Sequence, residues 1–385
     1  MNIGLNGISL YPGKIGGMET YFRNLLYWLQ VIDRENSYGV ILNEGYVDSF
    51  PLPNPSFTLK PFHYELNSWN WKVRGVLRNV LNVDPLRRKI ADLGFDLVHH
   101  PFNVLNPVSL SVPSVLTVHD IQHEYCPEFF SAADLHKRKR LFGPSCKEAL
   151  RIISISDFTR SCIMERYDVA PEKIDVVPVG CGAEYRPIEE PAVLEAVRKK
   201  YTLDRPFLFY PAATWPHKNH KALLAALRLL RERWGFDGCL VLTGIAKQSH
   251  DALLSEIAKL GLHGFVKVLG YLPLEDLPVL FNLAEMLAFP SLFEGFGIPV
   301  LEAMACGCPV VCSNVTSLPE VAGDAALLFD PKSPEAIAEA VWSVWNDRSE
   351  RDRLRRLGFA RVPEYRWDRV ARKTVDVYRA ALQGK

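Results

Sequence analysis

The stretch from Pro290 to Val311 reads PSLFEGFGIPVLEAMACGCPVV, and its reading decides the fold. The apolar run Met286 to Phe289 before it predicts a short buried strand. Glu294-Gly295-Phe296-Gly297 then leads into a helix beginning at Ile298. Pro299 falls in the first helical turn, where a missing N–H is tolerated. Glycines let a ligand approach the backbone closely, and the N–H groups and positive dipole end of the new helix favour a phosphate. Glu294 sits on the loop and Glu302 about one turn into the helix, so two carboxylates can accept hydrogen bonds from hydroxyls at two ends of one bound molecule. A glycine-rich strand-to-helix turn is also an ordinary connection, and the whole string is far more specific than its glycines.

Working outward, the same rhythm fills the second half of the chain. Strands are predicted at Phe207 to Ala212, Cys239 to Thr243, Phe265 to Leu269, Pro309 to Cys312 and Ala326 to Phe329, with helices at Lys221 to Arg233 and Asp251 to Leu260. The first half opens with a strand from Ile3 to Leu10, the loop Gly13-Lys14-Ile15-Gly16-Gly17 and a helix from Met18 to Gln30. Apolar runs follow at Tyr38 to Leu42, Phe95 to Val98, Ser114 to Val118, Arg151 to Ile155 and Ile174 to Val179. Alternating strands and helices predict an α/β fold with parallel sheets covered by helices, in two Rossmann-like halves. Ligands of such sheets bind beyond the carboxyl ends of the strands, so the expected cleft lies between the two halves. The expected boundaries are an N-terminal domain over 1–184, a linker over 185–205, a C-terminal domain over 206–365 and a final helix over 366–385 that crosses back to the first domain.

With 385 residues, 48% of them hydrophobic, the chain is large enough for two cores and is neither disordered nor fibrous. Its 45 basic and 44 acidic side chains provide no global field for nucleic acid or an anionic membrane. No stretch approaches the roughly 20 apolar residues that span a bilayer. Eight scattered cysteines and no secretory leader ahead of Met1 predict reduced thiols and a cytoplasmic setting. Cys306, Cys308 and Cys312 lack the paired spacing of a zinc site and are expected to be small packing residues. No Asp-x-Asp pair of the kind that bridges a divalent ion to a diphosphate occurs. Two basic stretches, Lys137 to Arg140 and Trp69 to Lys89 with Trp71, Arg74 and Arg78, read either as solvated faces or as contacts with an anionic acceptor or with a lipid headgroup at the inner face of a membrane.

The Pro290–Val311 string resembles the E-x7-E signature of the family-4 retaining glycosyltransferases with the GT-B fold, and the resemblance extends over nearly the whole chain. Gly16-Gly17-Met18-Glu19 is similar to the family's first glycine loop, and Val118-His119-Asp120 to the strand end that presents its active-site histidine. Ile155 to Thr159, followed by Pro171 to Ile174, resembles the segment closing the N-terminal domain. Trp215-Pro216-His217-Lys218-Asn219 resembles the basic donor-phosphate loop, and Leu269 to Leu272, with Tyr271, the loop near the base.

The resemblance implies a hexosyltransferase acting on a nucleotide sugar and a saccharide or lipid-linked oligosaccharide acceptor, without a metal or other cofactor. Glu294 would hold the donor sugar's hydroxyls and Glu302 the ribose. Phe296 and Gly297 would offer N–H groups to the sugar, and Ile298, Pro299 and Val300 would serve the phosphates. Lys218, helped by His217, would neutralise the departing diphosphate. Some family members carry a further arginine where this chain has Ala212. Gly16 and Gly17 would touch the donor, His119 would position the sugar, and Asp120 would contact the acceptor or cap the following turn. Trp71 and Arg74 are expected on the acceptor side of the N-terminal domain. GDP-mannose is the favoured donor, by likeness of Ser317 to Asp330 and the two N-terminal motifs to bacterial mannosyltransferases, with UDP-glucose or another UDP-sugar as the alternative. A nicotinamide dehydrogenase would require G-x-G-x-x-G after the first strand, a spacing Gly13, Gly16 and Gly17 do not give. A GT-B epimerase or a non-catalytic sugar-binding protein would share the same cleft residues.

Overall fold

A computed structural model describes residues 1–13, 16–64, 69, 73–75 and 83–383. The chain divides into two compact units, Met1–Gly180 with Trp367–Lys385, and Cys181–Arg366.

The first unit is built on seven parallel strands: β1 Asn2–Asn6, β2 Ser37–Asn43, β3 Phe57–Phe62, β4 Leu97–His100, β5 Ser114–Val118, β6 Arg151–Ser154 and β7 Ile174–Val176, in the order β3-β2-β1-β4-β5-β6-β7. The central strands β1, β4 and β5 are buried along nearly their whole length, as strands covered on both faces are. The predicted first strand stops at Asn6 rather than Leu10: after the last ladder bond, Gly7 N to Ile41 O (2.8 Å), the chain turns, with Asn6 Oδ1 accepting from Ile8 N (3.3 Å) and Gly7 O from Leu10 N (3.0 Å). Phe95 and Asp96 precede β4 instead of opening it. The Phe95 ring lies flush on β1 and β2, and a Cβ at Gly4 or Gly39 would meet it at 2.7 or 2.4 Å. β3 has no counterpart among the predicted strands, since it is a sheet edge, mostly exposed beyond Phe57, with a proline at position 61.

The helix Trp367–Gln383 closes this unit. Trp367, Val370, Ala371, Thr374, Val375, Tyr378 and Ala381 recur at helical spacing and are buried. The Trp367 ring packs on Tyr21 of the helix Gly17–Ile32 (5.8 Å), Tyr378 Oη bonds His99 Nδ1 (2.7 Å) and Arg379 pairs with Glu35 (2.9 Å).

The second unit has six parallel strands: β8 Phe207–Pro211, β9 Cys239–Thr243, β10 Val266–Val268, β11 Met286–Phe289, β12 Val310–Ser313 and β13 Ala326–Phe329, in the order β10-β9-β8-β11-β12-β13. The order reverses beside β8, whose neighbours are β9 and β11, and the equivalent reversal in the first sheet is beside β1. Each reversal opens a crevice at the carboxyl ends of its strands.

All eight cysteines are free, and Cys306, Cys308 and Cys312 are buried. Burial pushes the Cys312 thiol up to about 12, the behaviour of a packing residue. Among the described residues no group of three or more His, Cys, Asp or Glu is placed to hold a metal, and no helix is long and apolar enough to cross a membrane. Lys137 to Arg140 lie on the helix Ala132–Glu148, where Arg138 stacks over Phe130 (4.6 Å).

Candidate active-site residues

In the second unit, β11 runs through Pro290–Gly297 into the helix Ile298–Ala305. Gly297 adopts φ 102°, and a Cβ there would stand 2.5 Å from Leu318 Cδ2, so a glycine is required for both conformation and space. Buried Ser317 fastens the loop by donating to the carbonyls of Glu294 (3.0 Å) and Phe296 (2.9 Å). Glu294 N donates to Thr316 Oγ1 (3.2 Å), and the Phe296 ring packs edge-on against Tyr365. The expected donor set at the helix start is narrower than its sequence implied. Pro299 has no N–H and Val300 N donates to Gly297 O (3.0 Å), which leaves Ile298 as the one of the three whose N–H these bonds do not take.

The loop after β8 meets this loop directly. Lys218 Nζ and Glu294 Oε1 are 2.6 Å apart, with side chains 18% and 12% exposed. Three bonds fix the meeting: Tyr210 Oη donates to Lys218 O (2.7 Å), Leu292 N to His217 O (2.8 Å), and Asn219 Nδ2 to Pro290 O (3.0 Å). Asn219 takes φ 58°, a left-handed conformation asparagine tolerates, and also reaches Pro331 O (2.8 Å) beyond β13. Two residues 76 positions apart in sequence thus share one charge-paired site on the crevice side of the sheet.

Glu302, partly buried one turn into its helix, faces the Tyr185 hydroxyl. Burial pushes its carboxyl up to about 7; the Tyr185 hydroxyl lowers it and nearby Glu184 raises it further. Sequence reading missed Tyr185, which stands in the irregular segment after Gly180 with no periodicity to mark it. Tyr271 is 64% exposed on the loop after β10. That loop is tied to the one after β9 by Gly244 N to Gly270 O (2.7 Å). Gly244, at φ 132°, passes so close to Ala212 that a Cβ would lie 2.6 Å from the Ala212 carbonyl carbon.

In the first unit, His119 leaves β5 and is 7% exposed. Its backbone N donates to Asn103 Oδ1 (2.6 Å), and its Nε2 bonds Pro101 O (2.8 Å). A carbonyl accepts, so Nε2 carries the proton and Nδ1 presents a lone pair. Burial lowers its pKa against the opposing pull of the Pro101 bond and Asp120, keeping the ring neutral at physiological pH. Tyr21 braces it edge-to-face (4.8 Å). Asp120 Oδ1 accepts from Gln122 N (3.0 Å), which is the turn-capping alternative. His99 and His100 are structural: His99 bonds Thr117 Oγ1 and Tyr378 Oη (both 2.7 Å), His100 Nδ1 faces Asn6 and Asn106, and burial holds both near 3.

Gly16 takes φ 53° ahead of the helix beginning at Gly17, and Glu19 closes the loop by accepting from Gly13 N (2.7 Å). Arg74 does not stand free on an acceptor side. It grips Asp84 through two bonds (2.8 and 2.7 Å), Asn106 Oδ1 (2.7 Å) and Tyr64 Oη (3.2 Å), and the Asp84 side chain is wholly buried. A guanidinium with this fork filled is an internal strut. Trp71 and Arg78 lie outside the described residues.

Two family models match the chain: Glycosyltransferase Family 4 over residues 15–184 and Glycosyl transferases group 1 over residues 195–360. The O-antigen chain mannosyltransferase B of Escherichia coli is 35% identical over 285 residues, 74% of each chain. A GDP-mannose-dependent alpha-(1-6)-phosphatidylinositol monomannoside mannosyltransferase of Mycobacterium tuberculosis is 28% identical over 338 residues, covering 74% of this chain and 84% of its own. Among solved structures, Anabaena HepE in complex with UDP and glucose superposes with a TM-score of 0.75 at 18% identity, over 99% of this chain and 100% of that one. With two doubly wound parallel sheets, both halves matched and a relative at this identity, the chain belongs to the family-4, group 1 glycosyltransferases of GT-B fold.

Proposed function

We propose that this glycosyltransferase moves mannose from GDP-mannose to a saccharide or lipid-linked saccharide acceptor during polysaccharide assembly, retaining the anomeric configuration and using no divalent metal. The observation that carries the reading is the Lys218–Glu294 pair beside the start of the helix Ile298–Ala305, at the reversal of the second sheet. An ammonium and a helix N-terminus suit a diphosphate leaving group, and carboxylates at Glu294 and Glu302 suit the hydroxyls of a sugar and a ribose. Neutral His119, with a lone pair on Nδ1, accepts a hydrogen bond from a sugar hydroxyl and acts by positioning. Retention then requires no enzyme nucleophile: the leaving phosphate accepts the acceptor's proton on the face it departs from, and the protein contributes orientation and electrostatics.

Mannose is favoured by the similarity to the two mannosyltransferases above, and GDP by the similarity to the GDP-mannose-dependent one. The UDP and glucose held by HepE, a neighbour in fold alone, support the UDP-sugar alternative. A panel of GDP-mannose, UDP-glucose and UDP-N-acetylglucosamine, each incubated with a mannose-terminated oligosaccharide, separates them. A new glycoside from GDP-mannose is the expected result. Product from a UDP-sugar alone selects the alternative, and isomerised donor or binding without product would replace transfer altogether.

A further inference from the structure

A nucleoside diphosphate brings several negative charges into its site, and Lys218 meets them already paired with Glu294 at 2.6 Å. The start of the helix Ile298–Ala305 adds about half a positive charge. Loops at the carboxyl ends of the six strands of the second unit span 212–219, 244–249, 269–275, 290–297, 314–317 and 330–333. They contain three lysine and no arginine side chains: Lys218, Lys247 and Lys332. Lys332 follows β13, at the sheet edge two strands away from β11. Lys247 follows β9, the immediate neighbour of β8, whose own loop carries Lys218.

The Lys247 loop is fastened to that neighbour. Buried Thr214 accepts from Lys247 N through Oγ1 (2.7 Å), accepts from Ser249 N through its carbonyl (2.9 Å), and donates its own N–H to Ile245 O (3.2 Å). The fixed backbone leaves the side chain to lie along Trp215, with Nζ 5.4 Å from the ring centroid and the indole itself 40% exposed. Among the described residues no carboxylate pairs with the Lys247 ammonium. An unpaired ammonium, steered by an exposed indole three residues before Lys218, is placed to meet an anion on the crevice side of the sheet.

We propose that Lys247 is a second donor-binding cation, contacting the diphosphate of the nucleotide sugar and supplying the charge that Lys218 shares with Glu294. The inference rests on the reading of the Lys218–Glu294 loops as the diphosphate site. Calorimetric titration of the full chain with GDP, UDP and the uncharged nucleoside guanosine tests it, using Lys247→Ala, Lys247→Arg and Lys218→Ala. Lys247→Ala should weaken binding of the preferred nucleoside diphosphate by about tenfold and lower the slope of its salt dependence. Lys247→Arg should restore most of the affinity, while guanosine binding and melting temperature stay unchanged. Wild-type affinity in Lys247→Ala with weakened binding in Lys218→Ala would overturn the role of Lys247 and leave the site reading intact. Unchanged diphosphate binding in both variants would overturn the two together. Equal losses for guanosine and diphosphate, or no rescue by arginine, would make Lys247 a structural residue and also overturn the inference.

Discussion

Lys218 and Glu294 partly neutralise one another, so substituting either changes what the other can do. On the proposed reading, Glu294→Gln removes a charged acceptor for sugar hydroxyls while releasing Lys218. Transfer should fall by about two orders of magnitude, the scale of one charged contact made in the transition state, and affinity for free nucleoside diphosphate should not weaken. The pair is largely buried, and an amide of the same shape keeps one hydrogen bond to Lys218, so the substitution should cost about 1–3 kcal/mol of stability, measured by urea unfolding. Glu302 makes a different prediction. Its folded pKa of about 7 lies above the ordinary 4.5, so the fold favours the protonated form. The stability this contributes is fully present below about pH 4.5 and is lost as pH rises through 7. Glu302→Gln should therefore flatten the stability profile over that window. Donor affinity should rise with pH through about 7 in the wild type, as the carboxylate forms, and lose that rise in the variant. Arg74→Met should lower stability by about 3–5 kcal/mol, because it removes the guanidinium that makes two charged bonds to the buried Asp84 carboxylate. A raised acceptor Michaelis constant in a variant of unchanged stability would restore Arg74 to the acceptor side.

At the scale of elements, the turn into Ile298–Ala305 depends on Gly297. Gly297→Ala introduces both a disfavoured φ and a clash with Leu318, and should destabilise by about 1–3 kcal/mol with a larger loss of transfer than of melting temperature. This turn was legible in the sequence because glycine, proline and an apolar strand each point to the same geometry. The strands β5, β9, β11 and β13 were equally legible, each an apolar run ended by turn residues. β3 was not: a solvated edge carries no apolar signature. The end of β1 was misplaced because Ile8 and Leu10 are buried by a turn and not by a strand. The residues brought together at Lys218 and Glu294 could be named from their motifs, whereas Tyr185, Thr214 and the pairing of Arg74 with Asp84 have meaning only through long-range contacts. The final helix carries its own test. Trp367 is 2% exposed against Gly180 and Tyr21, and Tyr21 braces His119. Trp367→Ala should cost about 3–5 kcal/mol of stability.

For the molecule as a whole, the central claim is sugar transfer driven by fixed protein charges, with Lys218 and Glu294 at the centre. The most direct measurement is the rate of glycoside formation from GDP-mannose and a mannose-terminated oligosaccharide after exhaustive chelation, for the wild type and for Lys218→Ala. Chelated wild type should still form a glycoside with the donor's anomeric configuration, at a rate that added Mg²⁺ changes only modestly. Lys218→Ala should lose roughly 2–4 kcal/mol of transition-state stabilisation, a fall of about 30- to 1,000-fold. A wild type that is inactive in chelator and revived by Mn²⁺, or a Lys218→Ala variant that transfers as fast as the wild type, would contradict the account.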